Sequence, residues 1–231
     1  HGIVDSLWLK KPGLTPREVA DFSKEVSAAI RVPLNVDGKY RWIVFPASKV
    51  LEGVPVLNRY YGVFEGGKIK MRGIEARRGD TPDFVDNAQI EMIKTLANSA
   101  TLEDFVDRIP SALAVLRKYA VMLASNQVNI SDLVIAKRLS KSPRGYSHDV
   151  FQAIAAKQLK KAGFDVSAGM TIQYLIVNSK HKSANERVLA AELLMPKTSY
   201  DVQKYLDMLI SGAETLFGVF GYTKERIREQ A

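Results

Sequence analysis

One carboxylate stands out near the start of the chain. In the stretch His1-Gly2-Ile3-Val4-Asp5-Ser6-Leu7-Trp8-Leu9, Asp5 sits among β-forming residues. The pattern reads as a β-hairpin with Val4-Asp5 at its tip. A carboxylate fixed on a rigid hairpin tip is placed to hold a divalent cation. Turn-residue statistics by themselves favour a plainer reading, an aspartate that caps its own backbone.

The second candidate chemistry is cationic. Lys68, Lys70, Arg72, Arg77 and Arg78 face a single acid, Glu75, between positions 68 and 78. Lys137, Arg138, Lys141, Arg144, Lys157, Lys160 and Lys161 face Asp149 alone between 133 and 161. The whole chain of 231 residues carries a net charge of +8. Clustered base on a globular chain points to a polyanion, most often nucleic acid, or else to a solvated basic face. Other chemistries are excluded by residue type. There is no cysteine, hence no disulfide, thiolate site or cysteine nucleophile. The three histidines (His1, His148, His181) have no metal-ligand spacing. No G-K-(S/T) follows the glycines at 62–67, so they form no phosphate loop. No apolar run approaches the roughly 18 residues a membrane helix needs. These features fit a cytoplasmic protein without a membrane partner.

The elements that must position these residues follow from period and punctuation. Thr15-Pro16-x-Glu18 predicts a capped helix start, and Val19, Phe22, Val26, Ala29 and Ile30 continue it to about Val32, before Pro33. Asn35 to Phe45 predicts a hairpin turning at Asp37-Gly38. Strands at Arg59–Phe64 and Lys68–Gly73 flank the turn Glu65-Gly66-Gly67, with one of Tyr60 and Tyr61 packed and the other exposed. Helices are predicted from Asp83 to about Ala97 and from Thr101, with a restart at Pro110. Asn126 to Ser131 is a predicted loop. A helix from His148 to Ala162 ends at Gly163. A strand from Met170 to Val177 turns Met170, Ile172, Tyr174 and Ile176 to the core. A further strand within Arg187–Leu194, an amphipathic helix from Tyr200 to Phe217 and a short helix capped by Thr223 complete the chain. The fold class is α+β, a small antiparallel portion followed by a largely helical one with short strands. The opening hairpin is too short to stand alone, so the chain is a fragment or another polypeptide supplies neighbouring strands.

Several blocks carry a family resemblance. HGIVDSL resembles the hairpin motif of family B DNA polymerases, commonly YGDTDS: Asp5 and Ser6 match, while Ile3 and Val4 replace the first Asp and the Thr. The segment from Leu57 to Asp80 is similar to that family's K-K-R-Y-A-G and G-(I/L)-E-x-x-R-R-D, keeping Arg59, Tyr60, Gly62, Lys68, Arg72, Gly73, Glu75, Arg78 and Asp80. Leu57 and Asn58 stand at the two lysines and Gly79 at the second Arg. A third block, SDLVIAKRLSKSPRGY and the helix after it, resembles L-V-I-x-K-x-L-x-K with its following Tyr. The end of the chain, YLDMLISGAETLFGVFG, is similar to the family's closing helix.

The resemblance implies the end of a palm domain at residues 1–56, with the β-hairpin as its active-site motif, then a thumb at 57–231. It implies a subunit of a DNA-directed DNA polymerase that grips primer–template duplex for template-directed nucleotidyl transfer. Asp5 would be the catalytic metal ligand. Asn58, Arg59, Tyr60, Lys68, Arg72, Arg77, Arg78, Lys137, Lys141, Arg144 and Tyr146 would contact DNA. The cofactor would be Mg²⁺ in a two-metal site shared with a partner chain. That partner would be a large subunit with the exonuclease, fingers and remaining palm, and dNTP the substrate. This chain would be the small subunit of a split, archaeal-type enzyme, inactive alone. The alternative is a non-catalytic DNA-binding subunit of an inactivated polymerase; a third possibility is an RNA-binding protein.

Overall fold

The computed structural model describes residues 2, 3, 6–48 and 54–230. β1 (Gly2–Ile3) and β2 (Ser6–Leu7) pair antiparallel, with Gly2 opposite Leu7 and Ile3 opposite Ser6. The hairpin is therefore present, while its tip, Val4 and Asp5, lies outside the described residues.

α1 (Pro16–Ile30) begins as its sequence requires. The Thr15 hydroxyl accepts from the Glu18 amide, and the Glu18 carboxylate accepts from the Thr15 amide. Lys11, then Thr15, hold that carboxylate down to a pKa of about 2. The helix ends at Arg31 in the left-handed region, two residues before Pro33. None of its residues is buried.

The Asp37-Gly38 hairpin does not form. Only β3 (Tyr40–Val44) is a strand, and it pairs with β4 (Tyr60–Phe64), which pairs in turn with β5 (Ile69–Arg72). Asp37 instead pairs with Lys70. A longer-range partner offering aromatic packing, with Tyr40 stacked on Phe64, outcompetes the local turn. Gly62 lies under this contact; a Cβ there would stand 2.8 Å from the Trp42 carbonyl oxygen. The sheet thus straddles residues 56 and 57. Tyr60 and Tyr61 are both buried, contrary to the alternation expected. Trp8 and Phe45 cover the Tyr60 face, and the core covers the other.

Beyond β5 the chain is mainly helical. α2 (Asp83–Leu96), α3 (Leu102–Ala124) and α6 (Val202–Phe217) pack on one another. α3 is one helix, not two: Pro110 and Val106 are exposed, so the carbonyl that proline leaves unpaired lies towards water. A short α4 (Ile130–Leu133) leads into β6 (Ile135–Arg138), a strand absent from the sequence expectation. β6 pairs with β7 (Thr171–Ile176), and β7 with β8 (Val188–Ala190), all antiparallel. α5 (Phe151–Lys161) packs on β7 and β8, and α7 (Lys224–Arg228) on α6. Gly163 follows α5 with φ of 95°, the left-handed stop expected there. Ile172, Tyr174 and Ile176 are buried as expected, but Met170 precedes β7 and is exposed. One core runs from Tyr61 to Ile227. The Tyr205 hydroxyl stitches it, donating to the Leu133 carbonyl at 2.8 Å and accepting from the Ile176 amide at 3.0 Å. A buried phenol so paired incurs no unsatisfied polar cost.

Candidate nucleic-acid interface

The β4–β5 hairpin carries the first set of cations. Arg59 enters it and Gly73 leaves it, and the two ends lie in contact. A Cβ on Gly73 would stand 2.5 Å from the Asn58 carbonyl oxygen, and Gly73 has φ of 65°, so only glycine fits. The Arg59 Nε donates to the Gly73 carbonyl at 3.1 Å. Its Nη2 donates to the Thr215 hydroxyl and lies 3.5 Å from Glu75. Arg59 therefore locks the hairpin base to α6. Tyr60 is packed between Trp8 and Phe45, and its ring is not presented to a ligand. Both residues were expected at a DNA surface; their geometry is that of internal braces. Asn58, Lys68 and Arg72 are exposed, Lys68 at the hairpin turn and Arg72 at the far end of β5.

The segment after β5 is anchored from below. Ile74 and Ala76 are buried around a 3-10 turn, Glu75–Arg77. The Gln89 carboxamide, fully buried on α2, accepts from the Ala76 amide at 2.7 Å. It donates to the Gly212 carbonyl at 2.9 Å and to Glu75 at 3.0 Å. Glu75 also accepts from Thr215 at 3.0 Å. One carboxamide so joins the loop, α2 and α6, and fixes the backbone from which Arg77 and Arg78 project. Composition drew no attention to Gln89. The available signal was a polar residue inside the apolar stripe of Val85, Met92 and Leu96.

The second set of cations lies on β6, the loop after it and α5. Asp80 joins the two sets. Its Oδ1 accepts from the Arg78 Nε at 3.1 Å, and its Oδ2 from the Arg78 Nη2 at 3.1 Å and the Lys137 Nζ at 3.2 Å. Partial burial opposes its charge, but these bonds hold the carboxyl below the usual range. Tyr174, on the strand beside β6, is pushed up to about 12 by burial and by the Asp80 charge. In the following loop the Tyr146 hydroxyl accepts from the Ser140 amide at 2.9 Å and the Lys141 amide at 3.4 Å. Its bond with the Ser140 hydroxyl, then those amides and the Lys141 charge, hold the phenol below its usual pKa. Tyr146 is thus a brace across the loop that displays Lys141 and Arg144, both exposed. Among the described residues no carboxylate pairs with Lys68, Arg77, Lys141 or Arg144.

The two cation-bearing segments meet at Asp80, and their exposed lysines and arginines have the chemistry that binds phosphate. Among the described residues no three His, Cys, Asp or Glu side chains cluster to hold a metal. Asp5 lies outside them.

Comparison with known proteins agrees with this architecture. The structure of the family B DNA polymerase from the hyperthermophilic archaeon Pyrobaculum calidifontis superposes with a TM-score of 0.62 over 89% of this chain and 24% of that one, at 24% identity, which establishes likeness of fold. DNA polymerase 2 of Aeropyrum pernix is 26% identical over 99% of this chain and 26% of its own length. DNA polymerase 1 of Saccharolobus solfataricus is 26% identical over 98% of the chain and 24% of its own. The chain thus spans about a quarter of the length of these relatives. No helix among the described residues is long and apolar enough to cross a membrane. Residues 17–219 match the profile of DNA polymerase family B, and the chain belongs to that family.

Proposed function

We propose that this chain ends the palm (residues 1–56) and forms the thumb (residues 57–231) of a family B DNA polymerase. It holds primer–template duplex during template-directed nucleotidyl transfer. The observation that carries the reading is the junction at Asp80, where two cation-rich segments far apart in the sequence become one surface. Lys68, Arg72, Arg77, Arg78, Lys137, Lys141 and Arg144 contact the duplex backbone, and Asn58 is exposed beside them. Arg59, Tyr60 and Tyr146 act indirectly, by holding those cations in place. In this reading the exonuclease, fingers and remaining palm belong to a large subunit, and polymerisation requires the pair. Asp5 supplies one carboxylate to the shared Mg²⁺ pair, a hard oxygen donor suited to that ion. The uncovered apolar residues of α1 and its flanks, Phe22, Ile30, Val32 and Leu34, suit burial against that partner.

A second reading has its own support. Ile3, Leu57 and Asn58 stand where the family's motifs have a carboxylate and two lysines, the pattern of a subunit that binds DNA without chemistry. Primer extension with dNTP and Mg²⁺ separates the two, using this chain alone and then with the large subunit from the same genome. The catalytic reading expects synthesis only from the pair, abolished by Asp5→Ala while duplex binding persists. No synthesis in any combination, with duplex binding retained, selects the binding subunit. Preference for RNA over primed DNA overturns both.

A further inference from the structure

We infer that Asp80 is a positioning residue that builds a single phosphate cradle out of Arg78 and Lys137. The inference rests on the duplex-holding reading above and adds to it which two cations share one phosphate, and why.

The geometry is specific. One oxygen, Oδ2, accepts from both Arg78 and Lys137, so the guanidinium and ammonium nitrogens converge on a single point. The second oxygen takes the Arg78 Nε, which fixes the guanidinium plane as well as its position. Asp80 itself is well held. A backbone bond from the Thr81 amide to the Arg78 carbonyl closes the turn around it, and α2 starts at Asp83 on a buried Pro82. Its side chain is 26% exposed, against 54% for Arg78 and 42% for Lys137. The carboxylate is thus the recessed member, and the two cations stand out towards solvent with unused donors. A guanidinium has five N–H donors and an ammonium three, so neither is exhausted by Asp80.

Two effects oppose each other when a phosphate arrives. Asp80 repels it, but that repulsion acts in a high-dielectric, salt-screened setting and is offset by the two paired cations. Against this, Arg and Lys carry the largest side-chain entropies, and aligning both on one phosphate without a guide is the greater cost. Asp80 meets that cost during folding. The consequence runs against simple charge counting: removing a negative charge from this basic surface weakens its hold on a polyanion.

The test is binding of the full 231-residue chain to a labelled primer–template duplex, followed by fluorescence anisotropy over a range of salt concentrations. Asp80→Asn is expected to weaken binding by about three- to tenfold and to flatten the salt dependence by about 0.9 in log–log slope, one phosphate. Lys137→Met is expected to do the same, and adding Asp80→Asn to it to cost less than Asp80→Asn does alone. Asp80→Glu keeps the charge and displaces the carboxylate by one methylene. It leaves the fold least disturbed and is expected to weaken binding in the same direction. Equal or tighter binding by Asp80→Asn, or unchanged binding by Asp80→Glu, overturns the cradle while the duplex-holding reading stands. If the unaltered chain shows no salt-dependent duplex binding, that reading falls and the cradle falls with it.

Discussion

Two helices of nearly equal length behave in opposite ways. α1 (Pro16–Ile30) and α6 (Val202–Phe217) both have an apolar face, and both start on a side chain that caps the first turn, Thr15 and Asp201. α6 buries Tyr205, Leu209, Ile210, Leu216 and Phe217 among others, while α1 buries nothing. The same contrast separates their surroundings. Among the described residues before Tyr60 only Pro46 is buried, whereas from Tyr61 onwards one core is continuous. Local pattern and capping thus suffice to specify a helix, but burial depends on what the rest of the polypeptide brings against it. For α1 nothing within this chain does so among the described residues.

This contrast can be broken or sharpened by mutation. The largest effect is expected in α6: Phe217→Ala should cost about 3–5 kcal/mol in urea unfolding, the usual range for a fully buried phenylalanine. A loss within about 0.5 kcal/mol, as at a surface site, would remove the distinction between the two helices. Next comes the polar anchor of the same region. Gln89→Leu leaves the Ala76 amide and the Gly212 carbonyl without their partner and should cost about 1–3 kcal/mol. It should also weaken duplex binding, because the loop that carries Arg77 and Arg78 loses its tether.

A smaller effect comes from Asp86. Burial first, then the charges of Asp83 and Glu75, push its pKa up from 3.8 to about 7. Its Oδ1 is buried and has no partner among the described residues. The folded state therefore binds more protons than the unfolded state between those values, and this group's contribution to stability falls as pH rises through them. Asp86→Asn should raise the melting temperature at pH 8 by a few degrees at most, with the difference vanishing towards pH 4. A constant difference across that range would rule out the titration as its source. The smallest effect is expected in α1: Phe22→Ala should change the stability of the chain alone by no more than about 0.5 kcal/mol, since Phe22 is 40% exposed. The same substitution should weaken association with a large subunit in a pull-down, and failure to do so would remove α1 from the proposed interface.

How much was legible in the sequence differs by element. The capping box at Thr15, the β4–β5 hairpin around its glycine turn, the stop at Gly163 and the final helices are local matters. Backbone sterics and nearby hydrogen bonds decide them, so short stretches of residues suffice. The two basic segments were legible as charge, and the family as an ordered set of motifs. The sequence determined that this chain carries two cation-rich segments and which residue types make them. Only the tertiary structure decided which of those residues face outward. Arg59 and Tyr60 turn inward because a guanidinium finds three internal acceptors and a phenol ring finds two aromatic neighbours. The Asp37-Gly38 turn lost to pairing between β3 and β4, and Pro110 stayed inside α3, because packing outweighs local preference by more than either signal is worth. The meeting of Arg78 and Lys137 on Asp80 lay beyond any local pattern, since side chains distant in the chain become neighbours only when the core beneath them closes.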